Sequence, residues 1–277
     1  SIADTMKITG GSPAVWGLAP LVVVLGACTS YPVPAPHPQH PSTATPTSMR
    51  STPAVTGATA SAVGVGNSFR RSVIGYSVQG RALVAFRAGP LNAQRRILVV
   101  GVIHGNETAG QVIVQELMRT TPPPTTQVVV VPDLNPDGAA LGTRQNGDGV
   151  DLNRNFPYRW KSLGSRGDQQ YSGPGPLSEP ESRAGAALIR ALHPTVSVWF
   201  HQPVGVVDQS GGSAGVESRF ANILGLPLRT MQRYHGSVVS WQNLSYPGTT
   251  AFVVELPTRT DATLRAKALR ALYDLER

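Results

Sequence analysis

Residues 96–107 read Arg-Ile-Leu-Val-Val-Gly-Val-Ile-His-Gly-Asn-Glu. The run from Ile97 to Ile103 has no polar interruption before it meets His104. A strand reads this way when both faces of its sheet are covered by helices, the arrangement of parallel α/β sheets. Further apolar runs stand at 127–131, 195–200 and 250–254. Helical patterns at 107–119, 180–192, 216–224 and 261–275 separate and follow them. Residues 72–77 and 81–87 read as a hairpin turning at Gln79-Gly80. The alternation predicts an α/β domain with a largely parallel, buried sheet.

Reactive residues recur just past these runs. His104 and Glu107 follow the first, His201 follows the run at 195–200, and Glu255 follows the last. In open α/β sheets functional groups gather at the carboxyl ends of strands. Two imidazoles and a carboxylate converging there match a catalytic zinc site with a fourth position open. A further carboxylate would serve as general base and then acid. Spacing alone leaves open the ordinary alternative, in which each histidine is a hydrogen-bonded core residue.

The composition narrows the choices. The chain has 277 residues, 40% of them hydrophobic and 14% charged, which suits one large domain with an extension, or two small ones, and not a polyelectrolyte. One cysteine, Cys28, excludes an intrachain disulfide framework and any multi-cysteine metal site. The net charge of +8 is spread along the chain without a basic run, so no nucleic-acid partner is expected.

The stretch between the reactive groups carries the resemblance. It contains Asn135-Pro136-Asp137-Gly138, then Gly142-Thr143-Arg144, then Gly149-Val150-Asp151-Leu152-Asn153-Arg154-Asn155-Phe156-Pro157. Ser178-Glu179-Pro180-Glu181 precedes a predicted helix, and Gly236-Ser237 leads to Trp241. On these residues the sequence resembles the zinc carboxypeptidases of the carboxypeptidase A superfamily. Within it the sequence looks most like the bacterial murein peptide amidases, γ-D-glutamyl-meso-diaminopimelate peptidases. The resemblance implies a three-layer α/β/α sandwich with a mixed, largely parallel twisted sheet. It also implies one Zn2+ per chain, held by His104, Glu107 and His201. Glu255 would be the general base, and Arg144 would stabilise the oxyanion. Asn153 and Arg154 would hold the substrate's free carboxylate, and Asp151 would accept a hydrogen bond from the His104 ring. Tyr234 would be the mobile tyrosine that closes over the substrate, with Tyr246 the other candidate. The side-chain pocket is expected near residues 237–240, with Val238 and Val239 in it and no acidic group to meet an amine.

The first segment concerns address. Lys7 precedes an apolar stretch at 14–27, interrupted by Pro20 and too short for a membrane span. It ends in Leu25-Gly26-Ala27-Cys28, which resembles a bacterial lipobox. Residues 1–28 are therefore expected to be an export signal with Cys28 lipidated, placing the protein on the outer face of the bacterial membrane. Residues 29–67, rich in Pro, Thr, Ser and Ala, are expected to be a disordered linker, and 68–277 the catalytic domain.

Three rival readings stand beside the peptidase. Gly211-Gly212-Ser213-Ala214-Gly215 matches G-x-S-x-G, but residues 208–210 separate it from any strand and no histidine follows Asp261. An N-acyl amino acid deacylase related to aspartoacylase would share the zinc set. A wall-binding module would keep the fold without catalysis.

Overall fold

The computed structural model describes residues 69–275. The chain divides into two units, residues 1–60 and 61–277, and the described residues belong to the second. The expected signal, Cys28 and the linker at 29–67 lie outside them. Among the described residues no helix is long and apolar enough to cross a membrane.

The strands are β1 (Arg70–Tyr76), β2 (Ala82–Ala88), β3 (Arg95–Val100), β4 (Thr126–Val131), β5 (Val196–His201), β6 (Val204–Asp208), β7 (Leu228–Arg229) and β8 (Thr250–Pro257). They form one sheet in the order β1-β2-β4-β3-β5-β8-β6-β7. The central pairs β3/β4, β3/β5 and β5/β8 are parallel, as is β6/β7. The pairs β1/β2, β2/β4 and β6/β8 are antiparallel, which makes the sheet mixed. The helices are α1 (Ala109–Leu117), α2 (Pro136–Leu141), α3 (Pro180–Leu192), α4 (Ala214–Leu224), α5 (Val238–Ser245) and α6 (Ala262–Asp274).

The apolar runs are continuous because successive side chains enter two different cores. Ile97, Val99, Val128, Val130, Val198, Phe200, Phe252 and Val254 point into one cluster, with residues of α1, α4 and α6. Leu98, Val100, Val129, Val131, Trp199, Ala251 and Val253 point into the other, with residues of α3 and α5. Strand alternation thus gives the three layers that the resemblance implies. Each fully buried Val, Leu or Phe here contributes about 1.5–3 kcal/mol. The same alternation aims the strand-end polar groups. Phe200 and Val254 face the α4/α6 layer, so His201 and Glu255 face the α3/α5 side.

The helix predicted at 180–192 has those bounds, with Pro180 at its first turn and Glu181 favourably placed there. Elsewhere the boundaries move. The helix expected from Glu107 starts at Ala109, so Glu107 lies in the turn before it. Glu255 lies inside β8, not past its end. Strands β6 and β7 and helices α2 and α5 were not expected.

Candidate active site

β3 lies between β4 and β5, so the chain turns to opposite sides of β3 after successive strands. Such a switch point opens a crevice at the carboxyl ends of the strands. His104 stands on the loop after β3, and His201 is the last residue of β5. His201 and Glu255 are direct register partners on β5 and β8.

The loop at 101–107 is fixed by close backbone contacts. Gly101 N–H donates to the Val131 carbonyl at 2.9 Å and Leu134 N–H to the Val102 carbonyl at 2.9 Å. At Gly105 a Cβ would lie 2.0 Å from the Gly138 carbonyl carbon, so only glycine lets this turn rest against α2. Glu107 N–H donates to the His104 carbonyl at 3.0 Å, which folds the Glu107 carboxylate back beside the ring. Gln202 steadies it further: its backbone N–H donates to Glu107 Oε2 at 3.2 Å, and its side chain accepts from Ala109 N–H.

Three donor atoms converge. His104 Nδ1 lies 3.0 Å from Glu107 Oε2 and 3.1 Å from His201 Nδ1. His201 Nδ1 lies 3.0 Å from Glu107 Oε2. A tetrahedral zinc site with bonds near 2.0–2.1 Å has edges of about 3.3 Å, close to this triangle. His104 Nε2 sits 2.9 Å from Asp151 Oδ1, which fixes the ring proton there and leaves Nδ1 as a lone pair. Three electron-pair donors facing one another in a buried place need a cation between them, and these three residues can hold one metal ion. Asp151 is fully buried and accepts at Oδ2 from Arg144 Nε at 3.0 Å. Arg144 Nη1 donates to Glu107 Oε1 at 2.8 Å.

Charge states follow from these contacts. Burial alone would raise Glu107, but when the His104 and His201 rings beside it carry protons they outweigh burial and hold the carboxyl far below its usual range. Burial would raise Asp151 too, yet His104 and Arg144 keep it well below. The His104 ring is lowered by burial and raised more by Asp151. Glu255 goes the other way. Its burial dominates and raises its pKa, and its Oε2 is buried without a hydrogen-bond partner.

His104, His201 and Glu255 border a cleft of about 250 Å³ that also takes in Arg144, Asn153, Arg154, Tyr234 and Ser237. Asn153 Oδ1 accepts from Val238 N–H at 3.0 Å, so the residue also sets the start of α5. Arg154 is 4% exposed and its guanidinium carbon lies 4.0 Å from the Tyr234 ring centroid, a cation–π contact. Tyr246 stacks edge-on against Trp241 and His193 instead, which is a packing role. Ser213 of the G-x-S-x-G match is the residue before α4, with its backbone N–H on Thr250 Oγ1.

One expectation needs correction. Val239 and Ser240 do line the cleft, but Val238 is fully buried in the core. The cleft is also not without an acid: Asp208, at the end of β6, borders it together with Arg233. Nothing in the local sequence marks Asp208, because the strand that aims it forms only by pairing with β8.

A profile for zinc carboxypeptidases matches residues 66–213. That span includes His104, Glu107 and His201 and stops before Glu255. Murein peptide amidase A of Escherichia coli strain K12 is 35% identical over 180 residues, which cover 60% of this chain and 74% of the relative. The crystal structure of a murein-tripeptide amidase from Escherichia coli O157 superposes with a TM-score of 0.59 at 31% identity, covering 74% of this chain and 90% of that one. Carboxypeptidase A from Helicoverpa armigera shares the fold, with a TM-score of 0.64 at 16% identity over 76% of this chain and 68% of that one.

Proposed function

This chain belongs to the zinc carboxypeptidase family, and we propose that it hydrolyses the γ-D-Glu–meso-diaminopimelate bond of peptidoglycan stem peptides, with Glu255 as the base. The family and the His104–Glu107–His201 set make it a zinc metallohydrolase. One observation carries the finer reading. Two imidazoles of the donor set, a carboxylate whose Oε2 is buried without a partner and two side chains suited to a carboxylate border one cleft. The names of the amidases to which the chain is similar support the substrate.

Zinc bound by the triad polarises a carbonyl and lowers the pKa of water. The chain's own residues supply the rest. Arg154 and Asn153 hold the substrate's free carboxylate, the guanidinium through its planar fork and the amide through Nδ2. Asn153 is oriented for this because its Oδ1 is taken by Val238 N–H. Glu255 removes a proton from the attacking water at its carboxylate and returns it to the leaving amine, so the proton count closes. Arg144 spends Nε and Nη1 on Asp151 and Glu107, which leaves Nη2 to face the developing oxyanion.

The protein acts outside the cell on this reading, tethered through Cys28. The lipobox-like Leu25–Cys28 and the Pro-rich stretch after it support that placement. Replacement of Cys28 by Ser is expected to move the protein from the membrane fraction to the soluble one.

The test of the activity uses the full chain, zinc-loaded, with L-Ala-γ-D-Glu-meso-diaminopimelate. Mass spectrometry follows free diaminopimelate. Glu255→Gln is expected to lower the rate by about 10²–10⁴-fold with zinc still bound. A zinc-loaded wild type that releases nothing would overturn the substrate assignment.

A further inference from the structure

The mechanism leaves one charge pair of the cleft unused. β6 pairs with β8, and Val206 stands opposite Glu255. Val207 points into the α4/α6 core, so the next residue, Asp208, points to the face that carries His201 and Glu255. Asp208 is 4% exposed and is held from three sides. Ser210 Oγ donates to Oδ2 at 2.7 Å, Met231 N–H to Oδ1 at 2.8 Å, and Arg233 Nη1 to Oδ2 at 2.8 Å. The Arg233 side chain remains 29% exposed. Its bonds all run through Nη1, so among the described residues Nε and Nη2 have no protein partner. Both residues border the cleft.

We propose that Asp208 and Arg233 form a subsite for a zwitterionic side-chain terminus. The inference rests on the peptidase reading above and deepens it. The residue released must offer one carboxylate to Arg154 and Asn153. A diamino dicarboxylic acid carries a second amino-acid head at the far end of its side chain, with one ammonium and one carboxylate. The carboxylate meets the free edge of Arg233, and the ammonium lies in the field of the buried Asp208 carboxylate, whose two oxygens already accept from Met231, Ser210 and Arg233. The pair is net neutral, so it has no preference for a single charge. A lone ammonium, as in lysine, also faces the Arg233 cation, and a lone carboxylate faces Asp208. Only a head carrying both signs satisfies both poles, and unpaired buried charge opposes the others. Ser210 and the Met231 amide fix Asp208, which in turn fixes Arg233, so the subsite is organised before substrate arrives.

The experiment compares three substrates with the zinc-loaded full chain: L-Ala-γ-D-Glu joined to meso-diaminopimelate, to L-lysine, or to 2-aminopimelate. The last lacks the distal amine. Wild type is expected to prefer diaminopimelate by about tenfold to hundredfold in kcat/KM over each, expressed mainly in KM. Arg233→Gln should lower the diaminopimelate-to-lysine ratio about tenfold or more, and Arg233→Lys should recover part of it. Asp208→Asn should lower the ratio to 2-aminopimelate. Because Asp208 is buried, that variant is scored only when its melting temperature and zinc content match wild type; the Arg233 variants stand without it. A folded, zinc-loaded Arg233→Gln protein with the wild-type ratio would show that the pair only ties the 230–236 segment to β6, and would overturn the subsite. A wild type that cleaves none of the three would remove the amidase reading itself, and the subsite with it.

Discussion

Replacing Asp151 by Asn tests whether the buried carboxylate behind His104 sets metal affinity. Asp151 accepts three hydrogen bonds: from His104 Nε2 at 2.9 Å, Asn153 N–H at 2.9 Å and Arg144 Nε at 3.0 Å. The first two go to Oδ1 and the third to Oδ2. An asparagine has one acceptor oxygen. Placed toward His104, it keeps two bonds and sets an N–H₂ group against the Arg144 N–H. Flipped, it satisfies Arg144 and sets donor against donor at the imidazole. Unflipped the fully buried site loses one charge-assisted bond and flipped it loses two bonds, the charge-assisted ones worth about 1.5–3 kcal/mol each, and either way it loses the negative charge that makes the imidazole a better ligand.

Such outer partners of a ligating histidine typically govern affinity by about 10–100-fold, or about 1.4–2.7 kcal/mol. Zinc affinity, measured by competition with a chromophoric chelator at fixed pH, is therefore expected to fall by that range in Asp151→Asn. A dichroism spectrum of the metal-free variant checks that the fold survives. A folded variant whose zinc affinity stays within threefold of wild type would refute the reasoning, since Asp151 would then serve only the 3-10 turn at Leu152–Arg154 that it also caps.

Two further outcomes are expected. Glu217 is fully buried at the start of α4 with its Oε1 on the Ser210 and Gly212 amides, and burial above all pushes its carboxyl up to about 7. The folded state keeps this proton to higher pH than the unfolded chain, so its contribution is full below the ordinary 4.5 and is lost as pH rises through about 7. Glu217→Gln mimics the protonated acid. Its melting temperature should gain on wild type by about 5–10 °C between pH 4.5 and 8, and parallel profiles would refute this. Gly105→Ala places a methyl 2.0 Å from the Gly138 backbone, so the turn must leave α2. Calorimetry should show about 1–3 kcal/mol lost and the chelator assay weaker zinc binding; wild-type values in both would show that the contact is not needed.

How far the sequence was legible depends on where each residue's position is decided. The helix at Pro180–Leu192 is set locally, by Pro180, by Glu181 in its first turn and by thirteen periodic residues, so both ends could be read. The core strands were legible because a doubly covered strand must be apolar throughout. Val204–Asp208 was not, because Pro203 and Gly205 are breakers and the strand exists only by pairing with β8. Val238–Ser245 begins with two β-branched residues that favour strands, and its first amide is taken by Asn153, far away in sequence. The pattern at 104–107 showed that His104 and Glu107 could act together, but helical periodicity could not show that Glu107 stands in a turn. Asp208 lay out of reach because it depends on β6.

The same residues decide which charge the cleft presents. Glu107, Asp151, Asp208 and Glu255 are four carboxylates in or directly behind it, against the guanidiniums of Arg144, Arg154 and Arg233. With all four ionised the protein alone is negative by one, the wrong sign for a ligand that enters carboxylate first. A divalent ion in the triad turns the same cleft positive by one. The metal therefore acts on binding as well as on chemistry, through a field strengthened by the buried setting. Free meso-diaminopimelate, titrated calorimetrically, is expected to bind the metal-free protein at least about tenfold more weakly than the zinc-loaded protein, and the gap should narrow as salt is raised. Equal affinities in two folded samples would mean that Arg154 and Asn153 hold the carboxylate unaided, and that the charge balance of the site serves the metal alone.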